Sequence, residues 1–169
     1  MSDTPLSYSF PPIVGTDTRI LVLGSMPGLE SLRQQQYYAH PRNAFWPIMA
    51  QLFGFNSELN YVERCQQLIA HQIAVWDVLK SCYRPGSLDQ HIDSRTMEIN
   101  DFGGFLRQNP DIQAICFNGA KAEQLFCRAV LKDLSSVPIL KKLPSTSPAH
   151  AAMRFQQKLE AWQCIQAYF

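Results

Sequence analysis

Four short apolar runs limit what this chain can fold into: Arg19–Leu23, Ile73–Leu79, Ala114–Asn118 and Val137–Leu143. A half-exposed antiparallel strand alternates apolar and polar residues, whereas a parallel strand covered on both faces reads as a continuous run. Each run here is followed by a turn signal and then by helical spacing. Phe45, Ile48, Met49, Leu52 and Phe53 form one helix face, with Pro47 confined to the first turn. Tyr61, Cys65, Leu68 and Ile69 form a second face. A third, short and weakened by Gly103-Gly104, is marked by Phe102, Phe105 and Leu106. Ala122, Leu125, Phe126 and Ala129 mark a fourth. Phe155, Leu159, Trp162 and Ile165 stripe the last, for which Ser147 is the expected N-cap and Pro148 the first helical residue. Alternating strands and helices predict an α/β fold with a mostly parallel four-stranded sheet covered on both faces.

At 169 residues and 46% hydrophobic, the chain suits one domain, expected over residues 19–169 behind an amino-terminal arm at 1–18. No Gly/Ser-rich run, charge block or repeat marks a linker. A net charge of +1 excludes a polybasic surface, so any nucleic-acid contact must come from a few cations on one face. The five cysteines are widely spaced, with no Cys-x-x-Cys pair or His/Cys cluster, so neither a metal site nor a cofactor is expected. No charged segment followed by an apolar stretch opens the chain, and no run approaches membrane-spanning length. A cytoplasmic protein away from membranes is the expectation.

Pockets in parallel α/β folds lie at the carboxyl ends of the strands. Four stretches should therefore gather there: Gly24–Gly28, Asp77–Asp89, Asn118–Lys121 and Leu143–His150. The first leads into GSMPGLESLRQQQYYAHPRNAFW, which places rings, an amide and an arginine in one segment. That combination suits a planar base beside a phosphate.

Five words at these strand ends carry a resemblance: GSMPG, YYAHPRNAFW, VWDVL with CYRPGSLD, ICFNGAKA and LPSTSPAH. Together, in this order and spacing, they resemble the uracil-DNA glycosylase superfamily, and within it the hypoxanthine-DNA glycosylase (DNA-deoxyinosine glycosylase) branch. The resemblance implies a three-layer α/β/α sandwich that removes a deaminated base from DNA without metal or cofactor. Mismatch-specific members carry Gly-Ile-Asn-Pro-Gly after the first strand, and their Asn positions the attacking water; here Met26 stands at that place. The last word begins Leu143-Pro144-Ser145, where several branches have His-Pro-Ser or Asn-Pro-Ser. These two departures argue against strong uracil excision. In the branch resembled, the asparagine of His-Pro-Arg-Asn takes over catalysis, and that residue is Asn43.

Such chemistry passes through an oxocarbenium-like sugar and an anionic leaving base, and needs a flipped nucleotide and a held water rather than a strong nucleophile. No lysine near these words suits a Schiff base, so a monofunctional enzyme is expected. Asn43 can place the water, or serve only as the N-cap of the helix that follows. Asp77, in an apolar strand, can act as a general base, accept from a ring N–H, or tie down the loop behind it. Asn118 can pair with a carbonyl and its adjacent ring N–H, or supply turn chemistry before Gly119. Gly24, Ser25 and Met26 border the expected base pocket. Tyr37, Tyr38 and Phe45 are candidates to stack on the base, although Phe45 also fits the helix core. In an extended segment neighbouring side chains diverge, so one of the two tyrosines should face the cleft. His40, Arg42, Arg84, Ser145, Thr146, Ser147 and His150 are the candidate DNA contacts, the last four grouped at an expected helix amino terminus. The expected partner is DNA carrying a deaminated base, bound by a monomer. Uracil as the main substrate, and a non-catalytic nucleotide- or damaged-DNA-binding module, are the alternatives.

Overall fold

The structure is a computed structural model and describes residues 5–169. The long apolar runs form a four-stranded sheet of β2 (Ile20–Gly24), β3 (Ile73–Asp77), β6 (Ala114–Asn118) and β7 (Ile139–Leu143). Its order is β3-β2-β6-β7 and every pairing is parallel. All five residues of β2 and of β3 are buried, which is why those runs carry no polar alternation.

Successive side chains divide between two cores because a strand points neighbours to opposite faces. Ile20, Val22, Val75 and Cys116 pack with α2 (Phe45–Phe53), α3 (Tyr61–Ala70) and α6 (Phe155–Trp162) on one side. Leu21, Leu23, Trp76 and Phe117 pack with α4 (Phe102–Gln108) and α5 (Ala120–Ala129) on the other. The result is the α/β/α sandwich expected from the sequence. No helix among the described residues is long and apolar enough to cross a membrane.

Several elements differ from the sequence expectation. The run 73–79 is not one strand. The parallel ladder ends at the Gly24–Asp77 pair, and the chain then enters β4 (Leu79–Cys82). β4 lies between β1 (Ser7–Tyr8) and β5 (Glu98–Ile99) in a separate antiparallel sheet. The expected amino-terminal arm supplies β1, a two-way bridge between Ile13 and Val75, and the buried Phe10; its first four residues lie outside the described ones. A short helix, α1 (Leu29–Gln34), follows the first glycine turn and had no apolar stripe to announce it.

The last helix starts at Phe155, not at Pro148. The Ser147 carbonyl accepts from the His150 N–H and from Lys158 Nζ, so it does not open an α-helical ladder. Arg154, whose N–H is taken by Gln157 Oε1 at 2.8 Å, stands at the actual helix start. His150 therefore lies in a turn, and the phosphate-binding helix terminus expected at residues 145–148 does not exist.

Candidate active site

A cleft of about 620 Å³ opens at the carboxyl ends of β2, β3, β6 and β7. Its floor is the last ladder pair. A Cβ on Gly24 would stand 2.6 Å from Asp77 Oδ1 and 3.3 Å from Tyr38 Oη, so only glycine lets that carboxylate lie against β2. Asp77 is 3% exposed, and Oδ2 is buried without a hydrogen-bond partner. Burial raises its pKa from 3.8 to about 7, with Arg84 opposing the rise and Asp89 adding to it. Near neutral pH such a carboxyl is present in both forms, and its protonated form can donate a hydrogen bond as well as accept one.

Both tyrosines border this cleft. The segment is a turn, not an extended strand, and Tyr38 has φ +55, which removes the expected alternation. Tyr37 is locked by its surroundings: its hydroxyl lies 3.1 Å from the Phe10 carbonyl and 2.9 Å from that of Pro11, and its own carbonyl accepts from Trp46 Nε1 at 2.9 Å. Tyr38 lies on Phe45 with ring centroids 4.1 Å apart and planes tilted by 32°. Its hydroxyl is buried and unpartnered, and burial pushes its pKa up. Phe45 itself is fully buried and does not line the cleft; it supports Tyr38 from behind. The helix-core role weighed for Phe45 is the one the fold uses, because α2 turns that ring into the sheet.

Asn43 lines the same cleft. Its Oδ1 accepts from the Phe45 N–H at 2.9 Å, anchoring the amide on the start of α2. Among the described residues no acceptor holds Nδ2. The cap and the cleft-facing roles therefore coexist: the helix fixes the side chain, and one amide face is left for a ligand. The backbone is fixed as well, since the Ala44 N–H donates to the Thr146 carbonyl at 3.0 Å.

The loop after β7 closes the third side. Asn118 Nδ2 donates to Thr146 Oγ1 and the Thr146 N–H donates to Asn118 Oδ1, both at 2.9 Å. Gly119, at φ +96, brings this turn so close that a Cβ would meet that of Ser145 at 3.1 Å. The Ser145 hydroxyl accepts from the Ser147 N–H and the Ser147 hydroxyl from the Ala149 N–H, so both serve the turn. Thr146 is 1% exposed and holds the loop rather than offering itself to a strand of DNA. His40 and His150 border the cleft, and His40 Nδ1 accepts from the Arg42 N–H at 3.1 Å.

This arrangement has known relatives. The family model of the uracil DNA glycosylase superfamily matches residues 11–166. The chain belongs to that superfamily. It is 37% identical to a hypoxanthine DNA glycosylase of Methanosarcina acetivorans, over 95% of this chain and 98% of that one. It is 39% identical to a hypoxanthine DNA glycosylase of Methanosarcina barkeri, over 67% and 71% respectively. A solution NMR structure from Methanosarcina acetivorans, named as a candidate uracil DNA glycosylase, superposes with a TM-score of 0.78. That structure is 35% identical, with 95% of this chain and 96% of the other covered.

Within this superfamily site, one expected DNA contact is elsewhere. Arg84 is 5% exposed, donates Nε to the Gly86 carbonyl at 3.0 Å and Nη2 to the Pro27 carbonyl, and leaves Nη1 buried without a partner. A guanidinium so enclosed ties the β2 turn to the loop after β4 and does not reach a phosphate. Arg42, by contrast, is exposed and borders a second depression of about 490 Å³ that shares Asn43 and His150 with the main cleft.

The stretch Asp77–Asp89 was expected at the cleft, but neither Ser87 nor Asp89 was singled out within it. The loop 83–91 contributes Ser87 and Asp89: Ser87 Oγ accepts from the Leu29 N–H at 2.8 Å, and Asp89 Oδ1 accepts from Ser25 Oγ at 2.6 Å. Ser25 is thus 8% exposed and oriented by Asp89. The signal was present in the word CYRPGSLD, whose polar residues follow a strand end. Among the described residues no group of three or more His, Cys, Asp or Glu side chains is placed to hold a metal ion.

Proposed function

We propose that this protein is a monofunctional DNA glycosylase of base-excision repair that hydrolyses the N-glycosidic bond of deoxyinosine in preference to deoxyuridine. The single observation that supports this most is that one cleft is lined both by a buried carboxyl whose Oδ2 has no partner among the described residues (Asp77) and by an amide fixed on a helix start (Asn43).

The chemistry follows from these positions. A nucleotide rotated out of the stack places its base in the cleft, against the Tyr38 ring that Phe45 supports. Such stacking contributes about 1–3 kcal/mol per base. As the C1′–N9 bond breaks, negative charge accumulates on hypoxanthine. Asp77, in the protonated form that burial favours, donates a hydrogen bond to that charge where water cannot compete. Asn43 holds the water that adds to C1′. Met26 offers the cleft a thioether rather than an amide, so the water is held from the Asn43 side, and uracil excision is the weaker activity. Arg42, His40 and the 145–150 loop meet the strand around the flipped nucleotide. The protein acts as a monomer in the cytoplasm, since flipping needs one face only.

Release of free hypoxanthine from a deoxyinosine oligonucleotide, followed by chromatography beside matched deoxyuridine and deoxyadenosine strands, tests this function. Hypoxanthine should appear first and fastest, and adenine not at all. Retention of the oligonucleotide without any free base would instead identify a binding module.

A further inference from the structure

The cleft holds a second carboxylate. Asp89 is brought to it by the 3-10 turn Asp89–His91, more than ten residues beyond the strand that carries Asp77. Its Oδ1 accepts from Ser25 Oγ at 2.6 Å, whereas Oδ2 has no hydrogen-bond partner among the described residues, and the residue is exposed. No cation forms a salt bridge with it among the described residues.

The other polar side chains around the cleft have their acceptors engaged or carry the wrong charge. Glu30 has both oxygens on Arg33 and Gln34. Asn43 Oδ1 faces the Phe45 N–H, and Asn118 faces Thr146. Ser145 and Ser147 close their own turns. The His40 and His150 rings carry no negative charge in either protonation state, and a protonated imidazole repels a cationic sugar. Asp77 is enclosed by Tyr38 and Gly24. Asp89 alone offers an open anionic oxygen to a water in the cleft.

We infer that Asp89 is the second catalytic carboxylate of this site: it takes the proton of the attacking water and opposes the positive charge that develops at C1′. This rests on the glycosylase function proposed above. The step balances without a further reactant. The water oxygen forms its bond to C1′ while the C1′–N9 bond breaks with its electron pair leaving on the base. The water proton passes to Asp89 and is later released to solvent. Asp77 donates a hydrogen bond to the departing base anion and keeps its proton, and the released base takes up one proton from solvent, balancing the one Asp89 gives up. Two carboxylic acids in one cleft, one buried and one open to solvent, is the arrangement by which a site separates its acid from its base. The groups facing Asp77 are Arg84, Asp89, Tyr37 and Tyr38, and those facing Asp89 are Ser25, Asp77 and Arg84.

The test uses the full chain with Asp89→Asn and Ser25→Ala. Single-turnover release of hypoxanthine is measured from pH 4 to 9, together with affinity for an oligonucleotide carrying non-cleavable 2′-fluoro-deoxyinosine. Asp89→Asn should lower the rate about 100-fold or more, abolish the rise in rate on the acid side, and leave affinity for the fluorinated strand within threefold. Ser25→Ala, which frees the carboxylate to rotate, should give a smaller loss with the acid-side rise retained. A rate for Asp89→Asn within threefold of the unaltered protein, or a loss confined to affinity, overturns the assignment while leaving the glycosylase function standing. Absence of hypoxanthine release from the unaltered protein overturns both.

Discussion

Asn118 and Thr146 exchange two hydrogen bonds of 2.9 Å, joining the end of β6 to the loop after β7. The pair is the hinge pin of the cleft, because Thr146 also accepts, through its carbonyl, from the backbone beside Asn43. Displacing one therefore displaces the Asn43 amide, to which the proposed function gives the attacking water.

Asn118→Ala leaves the buried Thr146 N–H and hydroxyl without partners, which costs about 1–3 kcal/mol. Chemical denaturation should show that loss, and the rate of base release should fall with it. Asn118→Asp retains an acceptor for the Thr146 N–H and should recover part of the stability; equal stability of the two variants would contradict the pairing.

Gly24→Ala should fold and be inactive. The added methyl must move Asp77 Oδ1, 2.6 Å away, and crowds Tyr38 Oη at 3.3 Å. Thermal unfolding should remain cooperative while single-turnover release drops at least about 100-fold, the scale of losing one pre-organised donor. Near-normal release by this variant would show that the floor of the cleft does not act in the reaction.

Asp77 links pH to both stability and rate. Its pKa rises from 3.8 to about 7 on folding, mainly through burial, so between these values the folded protein binds more protons than the unfolded chain. Stability then falls as pH rises through that window, and the gap corresponds to about 4 kcal/mol. Asp77→Asn should flatten this fall and be the more stable form above pH 7. Because its amide still donates, it should keep measurable activity and lose the decline in rate above pH 7. Urea titrations and release rates at pH 5, 7 and 8.5 check both.

Two arginines separate by role. Arg42→Ala should weaken binding to any DNA and reduce the salt dependence of binding by about one counterion, without affecting stability. Arg84→Ala should leave the salt dependence unchanged and lower stability by about 1–3 kcal/mol, since the Pro27 and Gly86 carbonyls lose their donor. Fluorescence anisotropy across a salt series, with melting curves, distinguishes them.

Three strands were legible because they are buried on both faces: the runs at Ile20, Ile73 and Ala114 leave no other way to cover them; β7 is instead an edge strand exposed at Ile139, Lys141 and Lys142, against the expectation of full cover. The helix stripes at Phe45, Tyr61 and Ala122 were legible for the same reason. What escaped was set by partners distant in sequence. Ser147-Pro148 carries a good local helix start, and Lys158 overrides it by holding the Ser147 carbonyl. Arg84 has the composition of a phosphate contact, and the Pro27 carbonyl encloses it from 57 residues away. Asp89 joined the cleft through Ser25, 64 residues earlier, a relationship no local spacing expresses. Tyr37 and Tyr38 were placed at the cleft by their neighbours in sequence, but the positive φ of Tyr38 lies outside what alternation predicts.

In the proposed reaction the fixed amide of Asn43 places the water that releases hypoxanthine. The most direct measurement is single-turnover cleavage of an end-labelled deoxyinosine strand, with and without alkali, by the unaltered protein and by Asn43→Ala. Alkali-dependent cleavage at the inosine position, reduced at least about 100-fold in Asn43→Ala with the fold intact, is the predicted result. Equal cleavage by both proteins, or scission without alkali, would contradict it.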